Sequence, residues 1–456
     1  MDLATATRAV GGRRVGGNPT FRRVTTDTRA LEPGDLFVAL RGERHDGHAF
    51  VGQALAAGAV AAMVAEPAAP GLSGDLVVVD DTQQALGRLA RAWRERFDLP
   101  LAVVVGSNGK TTVKEMVAAA LSAHFGASAV LATAGNLNNA IGLPLTLLRL
   151  REGHRAAVVE LGMNHRGETA ELAAIAQPTV AIVNNAQREH QEFMKSVDEV
   201  AAEHADAVLA LRRDGVAVVN VDDPRASVWR EAALRAGARV VGFGTGPDAQ
   251  VRGEVELAAT GSTLSVATPA GPVRVALSVP GRPMAQNALG AAAAALAMGA
   301  SLDAIRRGLE SFRAVPGRLA VRGAVTGAAV IDDSYNANPD SVRAAIDVLA
   351  RAASPRILAL GDMGEVGAGG PAFHREVGTY ARAAGIDRLY TAGAQAALAA
   401  DAFGAGACRF ADAESLAAAL VPEAVAGTTV LVKGSRFMRM ERVVDALTGA
   451  TQDGGH

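Results

Sequence analysis

The sequence predicts an α/β protein of three domains with a phosphate-binding loop at its centre. Leu101–Val105 is a run of apolar, mostly β-branched residues, which is typical of a fully buried strand. A glycine turn and a helical stretch, Thr112–Leu121, follow it. Further apolar runs that end in polar residues recur downstream, as in mainly parallel sheets. The length of 456 residues corresponds to roughly three domains of about 150 residues each.

The turn between this strand and this helix is predicted to bind the phosphates of a nucleotide. Its residues are Gly106-Ser107-Asn108-Gly109-Lys110-Thr111-Thr112. Glycines let backbone N–H groups approach phosphates, which lie at the positive end of the helix dipole. Lys110 is expected to contact the β- and γ-phosphates, and the Thr111 hydroxyl to bind Mg²⁺. The loop is shorter than the usual G-x-x-x-x-G-K-[ST], so a plain strand-to-helix turn is the alternative.

Composition excludes several classes of protein. Apolar residues make up 49% of the chain and charged residues 20%, as in ordinary globular proteins. A net charge of −2 without a basic block gives no indication of binding to nucleic acid or to an anionic membrane. The single cysteine, Cys408, excludes an internal disulfide framework. No signal-peptide pattern is present, and the run around Ala291–Ala300 is too short to span a bilayer, so we expect a cytoplasmic protein.

Residues 1–98 contain short strand candidates and one longer helix. The strands are predicted at Asp35–Leu40, Val60–Val64 and Leu76–Val79, and the helix at Thr82–Phe97. Before them lies Thr25-Thr26-Asp27-Thr28-Arg29. Short hydroxyl side chains and an arginine beside a turn can hold a diphosphate. A solvated loop is the alternative, and spacing alone favours it.

Polar residues follow the apolar runs of residues 99–315, where ligands bind in α/β sheets. Glu160 follows Ala156–Val159, and His190 lies just beyond the run Val180–Val183. Carboxylate and imidazole groups both accept divalent ions, so Glu160 and His190 are predicted to complete a metal site beside the loop. The alternatives are a helix-capping role for Glu160 and a surface position for His190.

Two other patterns occur in the same region. Asn136, Asn138 and Asn139 offer donors and acceptors to a polar ligand, although asparagines are also common in turns. Further on, alternating segments broken by glycine and proline predict a small antiparallel region. These segments are Val251–Leu257, Ser262–Ala267 and Val273–Val279.

Residues 316–456 begin with Pro316-Gly317, a pair typical of a linker. A second series of apolar runs, typical of a parallel sheet, follows it. Buried strands are predicted at Ala328–Ile331, Arg356–Leu360, Leu389–Ala392 and Thr429–Val432. Polar clusters again lie at strand ends, in residues 332–339, 361–365 and 433–436. Asp340 or Ser341 is expected to cap the helix that follows the first cluster.

Taken together, these motifs resemble the Mur ligase family. The matching motifs are Gly106-Ser-Asn-Gly-Lys-Thr111, Gly135-Asn-Leu-Asn-Asn139, Glu160-Leu-Gly-Met-Asn164, Pro316-Gly-Arg318, Asp332-Asp-Ser-Tyr-Asn-Ala-Asn338 and Lys433-Gly-Ser-Arg436. The match extends from Thr25 to the last helix. The resemblance implies an N-terminal domain for a UDP substrate (1–98), a central P-loop ATPase domain (99–315), and a C-terminal Rossmann-like domain (316–456) for an incoming dipeptide.

The resemblance also assigns roles to single residues. It implies catalytic roles for Lys110, Glu160 and His190, with Thr111, Glu160 and His190 as Mg²⁺ ligands. Besides the phosphate loop, it places Asn287, Arg318 and Asp333 at the ATP. The UDP-substrate residues would be Thr28, Arg29, Asn136, Asn138 and Asn139. The dipeptide-side residues would be Tyr335, Asn336, Asn338, Lys433, Ser435 and Arg436.

This chain departs from the family pattern in two places. Ser107 stands where threonine is commoner, which keeps a hydroxyl group. His204 aligns near a lysine that, in several relatives, is carbamylated and bridges the metals. Either a second metal is held differently here, or water and phosphate oxygens take the place of the carbamate.

Within the family, the motifs imply the branch that uses ATP and Mg²⁺ to join D-alanyl-D-alanine to UDP-N-acetylmuramoyl-tripeptide. The reaction would pass through an acyl phosphate and give a peptidoglycan precursor, ADP and phosphate. Small molecules would be its only partners, and we expect a monomer. One alternative is a sister ligase, or a folylpolyglutamate synthase, that adds a single amino acid; the C-terminal region lacks the Asp-Asn-Pro-Arg expected of the diaminopimelate-adding enzyme. A P-loop ATPase or switch protein is the alternative from another class.

Overall fold

The computed structural model of the protein describes residues 1–42, 45–66, 71–258 and 260–450. They form three β-sheets, of five, nine and six strands, flanked by helices. Strands pair mostly in parallel, with antiparallel pairs at the sheet edges, and this confirms the predicted α/β class. In these ranges, no helix has the length and apolar character needed to cross a membrane.

The N-terminal sheet has the strand order β1-β5-β4-β3-β2, and only β1 is antiparallel to its neighbour. Its strands are β1 (Arg13–Val15), β2 (Arg23–Thr25), β3 (Asp35–Val38), β4 (Ala61–Ala65) and β5 (Leu76–Val79), and its helices are α1 (Leu3–Val10), α2 (Val51–Ala56) and α3 (Thr82–Arg94). Helix α3 ends three residues before the predicted end at Phe97. It ends there because the buried Arg94 side chain donates to the carbonyls of Phe97 and Leu99, which turns the chain toward the next sheet.

The central sheet has the order β14-β13-β12-β11-β10-β9-β6-β8-β7. Its strands are β6 (Leu101–Val105), β7 (Val130–Ala132), β8 (Ala156–Glu160), β9 (Val180–Val183), β10 (Val216–Asn220), β11 (Arg239–Gly244), β12 (Val251–Leu257), β13 (Ser262–Thr268) and β14 (Gly271–Leu277). Its helices are α4 (Lys110–Phe125), α5 (Gly142–Leu147), α6 (Glu168–Ala176), α7 (Val197–Leu209), α8 (Ala226–Ala236), α9 (Arg282–Ala297) and α10 (Leu302–Ser311). The predicted antiparallel region is confirmed as β12–β14, which extends the parallel sheet through the β11–β12 pair.

Strand β6 determines where the site lies. It is fully buried and pairs in parallel with β8 on one side and β9 on the other. The carboxyl ends of these three strands therefore meet at one edge of the sheet. Helix α4 begins at Lys110, two residues before the predicted start, because Gly109 adopts a left-handed conformation (φ +86°) and turns the chain directly into the helix.

The C-terminal sheet has the order β15-β16-β20-β17-β18-β19 and is parallel except for β15. Its strands are β15 (Ala320–Gly323), β16 (Ala329–Asp333), β17 (Arg356–Gly361), β18 (Arg388–Ala392), β19 (Ala407–Phe410) and β20 (Thr429–Lys433), and its helices are α11 (Pro339–Leu349), α12 (Gly370–Ala383), α13 (Ala396–Phe403), α14 (Ala413–Leu420) and α15 (Glu441–Thr448). In the β16–β20 register Asp333 lies opposite Lys433, so the first and last of the three polar clusters are neighbours.

The predicted cap of α11 is wrong. Asn338 is the N-cap: its side chain accepts from the backbone N–H of Ser341, and the Ser341 hydroxyl accepts in return from the N–H of Asn338. Ser341 is therefore the reciprocal partner in a capping box. Asp340 pairs instead with Arg188 of the central region.

Alternate side chains of β6 pack into two different apolar cores. Leu101, Val103 and Val105 belong to a core shared with the N-terminal sheet, whereas Ala102 and Val104 belong to one shared with the C-terminal helices. Each face of the central sheet thus belongs to an apolar core that continues into another region of the chain. The strands of each sheet fall within one of the ranges 1–98, 99–315 and 316–456, which we keep as the working division of the chain.

Candidate active site

A cavity of about 1580 Å³ opens at the carboxyl ends of β6, β8 and β9. From the central region it is lined by Lys110, Glu160 and His190. Asp333 and Lys433 line it from the C-terminal sheet. Residues from distant parts of the chain therefore face one space beside the phosphate loop.

The phosphate loop is held in a conformation that requires glycine. A Cβ atom at Gly109 would lie 2.5 Å from Asn287 Oδ1 and 2.8 Å from Asn184 Nδ2, and its backbone is left-handed. Asn185 fixes the loop from the end of β9: its side-chain Oδ1 accepts from the N–H of Asn108 at 2.8 Å. Asn287, which the family resemblance places at the ATP, thus lies directly against the phosphate loop.

Lys110 lies at the mouth of this loop with its side chain 16% exposed. Its Nζ donates to the carbonyl of Gly106 at 2.6 Å and lies 3.5 Å from Glu189 Oε2. The ammonium group therefore lies between the loop and a buried carboxylate. From there it can reach a phosphate bound in the loop by a change of rotamer.

Glu160 connects the phosphate loop to the asparagine cluster. The Thr111 hydroxyl donates to Glu160 Oε2 at 2.7 Å, and Asn138 Nδ2 donates to Oε1 at 2.7 Å. Glu160 is buried, and neither bond is a helix cap, so the capping alternative is wrong. Asn136 and Asn139 also line the cavity, so the whole cluster lies at the site.

Glu189 is a residue of the site that sequence reasoning missed. Its buried carboxylate lies 3.5 Å from Lys110 Nζ, 3.7 Å from His190 Nε2 and 3.3 Å from His204 Nε2. Burial alone would raise the pKa of Glu189, but Lys110 and the two imidazoles lower it to about 2. Glu189 is therefore an anion at neutral pH. Its place directly before His190 in the chain was the only available signal.

The donor set fits a magnesium ion. Thr111, Glu160 and Glu189 offer oxygen atoms, and Glu189 Oε1 is buried without a hydrogen bond of normal geometry among the described residues. In the part of the chain that the structure describes, no three His, Cys, Asp or Glu side chains form a cage that would hold a metal by itself. Mg²⁺ is usually bound by one or two carboxylates together with water and phosphate oxygens, so this arrangement suits it.

The C-terminal side of the cavity carries a cation–aromatic stack and an ion pair. The Arg318 guanidinium lies 4.4 Å from the centre of the Tyr335 ring, and Arg436 lies 5.6 Å from the same ring. Lys433 Nζ donates to Asp333 Oδ2 at 2.6 Å and to the carbonyl of Asn336 at 2.8 Å. These contacts fix the polar loop after β16 against the end of β20.

Six predicted residues are not among those that line the cavity, namely Gly106 and Thr111 of the phosphate loop and Thr28, Arg29, Ser435 and Arg436. Thr28 and Arg29 lie on a short 3₁₀ turn of the N-terminal region, and the Arg29 side chain is 88% exposed and paired with Asp27. Ser435 is buried and accepts from the N–H of Gly364, whereas Arg436 pairs with Glu441. Asn336 and Asn338 do line the cavity, and Asn338 also exchanges side-chain hydrogen bonds with Asn108 of the phosphate loop.

Comparison with known families identifies the class of protein that this fold and site define. The Mur ligase middle domain matches residues 104–295, the Mur ligase glutamate ligase domain matches residues 317–436, and the Mur ligase family catalytic domain matches residues 20–94. The chain therefore belongs to the Mur ligase family, whose members are ATP-dependent ligases.

Individual relatives are similar over the full length. UDP-N-acetylmuramoyl-tripeptide--D-alanyl-D-alanine ligase from Escherichia coli (strain K12) is 42% identical, and the match covers 98% of each chain. The crystal structure of MurF from Acinetobacter baumannii aligns with a TM-score of 0.90 at 33% identity, over 98% of each chain. MurF ligase from Thermotoga maritima in complex with ADP aligns with a TM-score of 0.84 at 27% identity, over 94% of this chain and 97% of that one.

Proposed function

We propose that the protein joins D-alanyl-D-alanine to UDP-N-acetylmuramoyl-tripeptide, using ATP and Mg²⁺ and releasing ADP and phosphate. The relatives that support this carry that activity in their names and match nearly the whole chain. One observation carries the proposal most directly: Lys110, Glu160 and His190 face the same cavity as Asp333 and Lys433. A nucleotide on the phosphate loop and the incoming dipeptide near the C-terminal sheet would therefore meet in this cavity.

The reaction has to activate a carboxylate, which is a poor electrophile. The terminal carboxylate of the tripeptide would attack the γ-phosphorus of ATP, which gives an acyl phosphate and ADP. The amine of the dipeptide would then attack the carbonyl carbon, and the tetrahedral adduct would collapse with loss of phosphate. Both steps depend on holding the reacting groups in place more than on covalent help from the protein.

The residues of the loop supply the electrostatic part of this scheme. Lys110 would leave Glu189 and Gly106 and donate to the transferring phosphoryl oxygens, where negative charge accumulates. Thr111, Glu160 and His190, the predicted set, together with Glu189 would hold Mg²⁺, which neutralises phosphate charge when bound. Asn138 would keep the Glu160 carboxylate oriented through its 2.7 Å hydrogen bond.

The C-terminal domain would deliver the amine and exclude water. In this structure it packs closely on the central domain, since Asn338 reaches Asn108 and Arg188 pairs with Asp340. Water excluded from the cavity cannot hydrolyse the acyl phosphate. We propose that Tyr335, Asn336 and Lys433 lie on the dipeptide side, because they line the cavity from this domain.

Phosphate release measured with purified substrates tests the proposal. UDP-muramoyl tripeptides ending in lysine or in meso-diaminopimelate are supplied with ATP, with and without D-alanyl-D-alanine. We expect release that requires both the tripeptide and the dipeptide. Release with a single amino acid in place of the dipeptide would indicate a sister ligase. Release from ATP alone, or only with another protein, would indicate a P-loop ATPase or switch.

A further inference from the structure

A loop of the C-terminal domain reaches across the cavity and contacts His190. The loop follows β17 and carries Glu365, whose Oε2 lies 2.6 Å from His190 Nδ1. The backbones also meet, because the N–H of Glu192 donates to the carbonyl of Glu365 at 3.2 Å. A Cβ atom at Gly367 would lie 2.9 Å from the carbonyl oxygen of Gln191, so the two segments are in close contact.

Both residues of this pair have unusual backbone conformations. His190 has φ +48° and Glu365 has φ +58°, and neither is a glycine. They are two of the six non-glycine residues with a left-handed backbone in the part of the chain that the structure describes. Such conformations persist only where the surrounding structure imposes them, and they cluster at functional sites. Here two of them meet at one contact between two domains.

The loop that presents Glu365 is held firmly from behind. The N–H of Met363 donates to the buried His374 Nε2 at 3.0 Å, and the N–H of Gly364 donates to Ser435 Oγ at 2.7 Å. Glu365 therefore extends from a backbone that is anchored to α12 and to the end of β20. Its carboxylate position follows the position of the whole C-terminal domain.

Ion pairs bind the central segment that carries His190 to the same C-terminal domain. Arg188 Nη2 lies 2.6 Å from Asp340 Oδ1, and Nη1 lies 2.7 Å from Glu376 Oε2. The backbone N–H of Arg188 also donates to Asp340 at 2.9 Å. Since Arg188 and His190 are two residues apart, this ion-pair cluster holds the His190 segment against the domain that carries Glu365.

We propose that Glu365 is a positioning residue for His190, one that acts only when the C-terminal domain is docked. Its carboxylate would hold the proton on Nδ1 and aim Nε2 at Glu189 and the phosphate loop, as carboxylates do for metal-binding histidines. The present contact between Nδ1 and Glu365 Oε2 is 2.6 Å long but lacks the angle of a hydrogen bond, which a rotation of the imidazole would supply.

This inference rests on the proposed function and adds to it a coupling between docking of the C-terminal domain and the orientation of His190. The domain that delivers the amine would also complete the orientation of His190 at the phosphate site. Phosphoryl transfer would then be efficient only while the C-terminal domain is docked.

The test compares Glu365→Gln with Glu192→Gln in the full-length protein. Glu192 lies two residues from His190, and its side chain is exposed, so the control removes the same charge nearby. With ¹⁵N-labelled histidine, long-range ¹H–¹⁵N spectra of the ADP complex report the tautomer of each imidazole, and His190→Gln assigns the signal. We expect Nδ1–H in the wild type and in Glu192→Gln, and a mixture of tautomers in Glu365→Gln.

A second readout uses Mn²⁺ as the probe in the presence of ADP. Glu365→Gln should weaken Mn²⁺ binding about 10- to 100-fold and lower kcat with little change in KM for ATP, and Glu365→Asp should recover part of both. Tautomers and Mn²⁺ affinity equal to those of Glu192→Gln would overturn the inference. Should the wild type fail to ligate while its His190 tautomer still depends on Glu365, the positioning role would stand and the proposed function would fall.

Discussion

The Thr111 hydroxyl donates a 2.7 Å hydrogen bond to Glu160 Oε2, and this bond joins the first turn of α4 to the end of β8. Both groups are buried, so the bond holds an ionisable carboxylate at the edge of the phosphate loop. A carboxylate buried in this way is retained only when its partners satisfy it. The pair is therefore the natural place to test whether the loop works through oxygen ligands.

Thr111→Val should lower kcat strongly and raise the Mg²⁺ concentration needed for half-maximal rate, because valine keeps the shape of threonine and removes the hydroxyl. Thr111→Ser keeps the hydroxyl and loses only a methyl group. Its kcat should stay within about tenfold of the wild type, which corresponds to about 1.4 kcal/mol or less. Phosphate release titrated with Mg²⁺ distinguishes the two variants. Equal Mg²⁺ dependence in both would remove the hydroxyl from metal binding.

Lys110→Ala should leave the fold intact and reduce kcat by about 10²- to 10³-fold, the usual loss for one preorganised donor to a charged transition state. The side chain is 16% exposed and lies beside the buried Glu189, so the variant should still fold but lose some thermal stability, because that carboxylate loses a neighbouring cation. Lys195→Ala is the matched control, since Lys195 is an exposed lysine of the same segment as His190. Ligation at a near-normal rate by Lys110→Ala would exclude Lys110 from the chemistry.

Gly109→Ala should abolish nucleotide binding, and Gly299→Ala should not. Both glycines have nearly the same backbone angle, φ +86° and φ +88°. Alanine at Gly299 meets nothing within 4 Å and should lose only the left-handed penalty of about 1–2 kcal/mol in unfolding free energy. Alanine at Gly109 also collides with Asn287 and Asn184. ADP titration and urea unfolding of both variants separate the steric effect from the backbone effect.

His374 should make the stability of the protein depend on pH. It is fully buried, its Nδ1 lies 2.7 Å from the carbonyl of Gly370, and its Nε2 accepts from the N–H of Met363. Burial lowers the pKa of His374 below its ordinary value of 6.5. The unfolded chain therefore binds the proton more readily, so the stability due to neutral His374 is complete above pH 6.5 and is lost as the pH falls below it.

Urea midpoints at pH 7.5 and pH 5.5 check this prediction. His374→Gln should be less stable than the wild type at pH 7.5, and its midpoint should fall less on acidification. His124→Gln, at an exposed histidine, should keep the pH dependence of the wild type. A wild-type pH dependence in His374→Gln would show that the imidazole is not the titrating group.

Sequence reasoning located the parts of the fold that local pattern determines. The apolar run of β6 and the glycine turn after it predicted the centre of the central sheet correctly. The edge strand β1 was missed because Arg13, Arg14 and Val15 are all exposed and show no alternation. Its place is determined by pairing with the buried β5, a long-range contact without a local signal.

The same distinction between local pattern and long-range contact holds for the site residues. Glu160 ends β8, and Lys110 and His190 lie in the segments that follow β6 and β9, where topology alone indicates a ligand site; the structure brings all three to one cavity. Glu189 was missed, and Glu365 was predicted only as part of a polar strand end, because the roles of both come from contacts across the fold. Neither the Glu365–His190 contact nor the Asp340–Arg188 pair leaves a mark in local sequence, since each joins two domains.

The alternation of β6 between two apolar cores has a thermodynamic consequence. The apolar core that contains Ala102 and Val104 continues into helices of the C-terminal domain. Movement of that domain away from the central one would therefore expose apolar side chains to water. Substrate-driven docking should therefore be accompanied by a negative change in heat capacity, measurable by calorimetry over a range of temperatures. Cooling weakens the hydrophobic stabilisation of this contact, so the C-terminal domain should separate from the central domain more readily in the cold than at 25 °C.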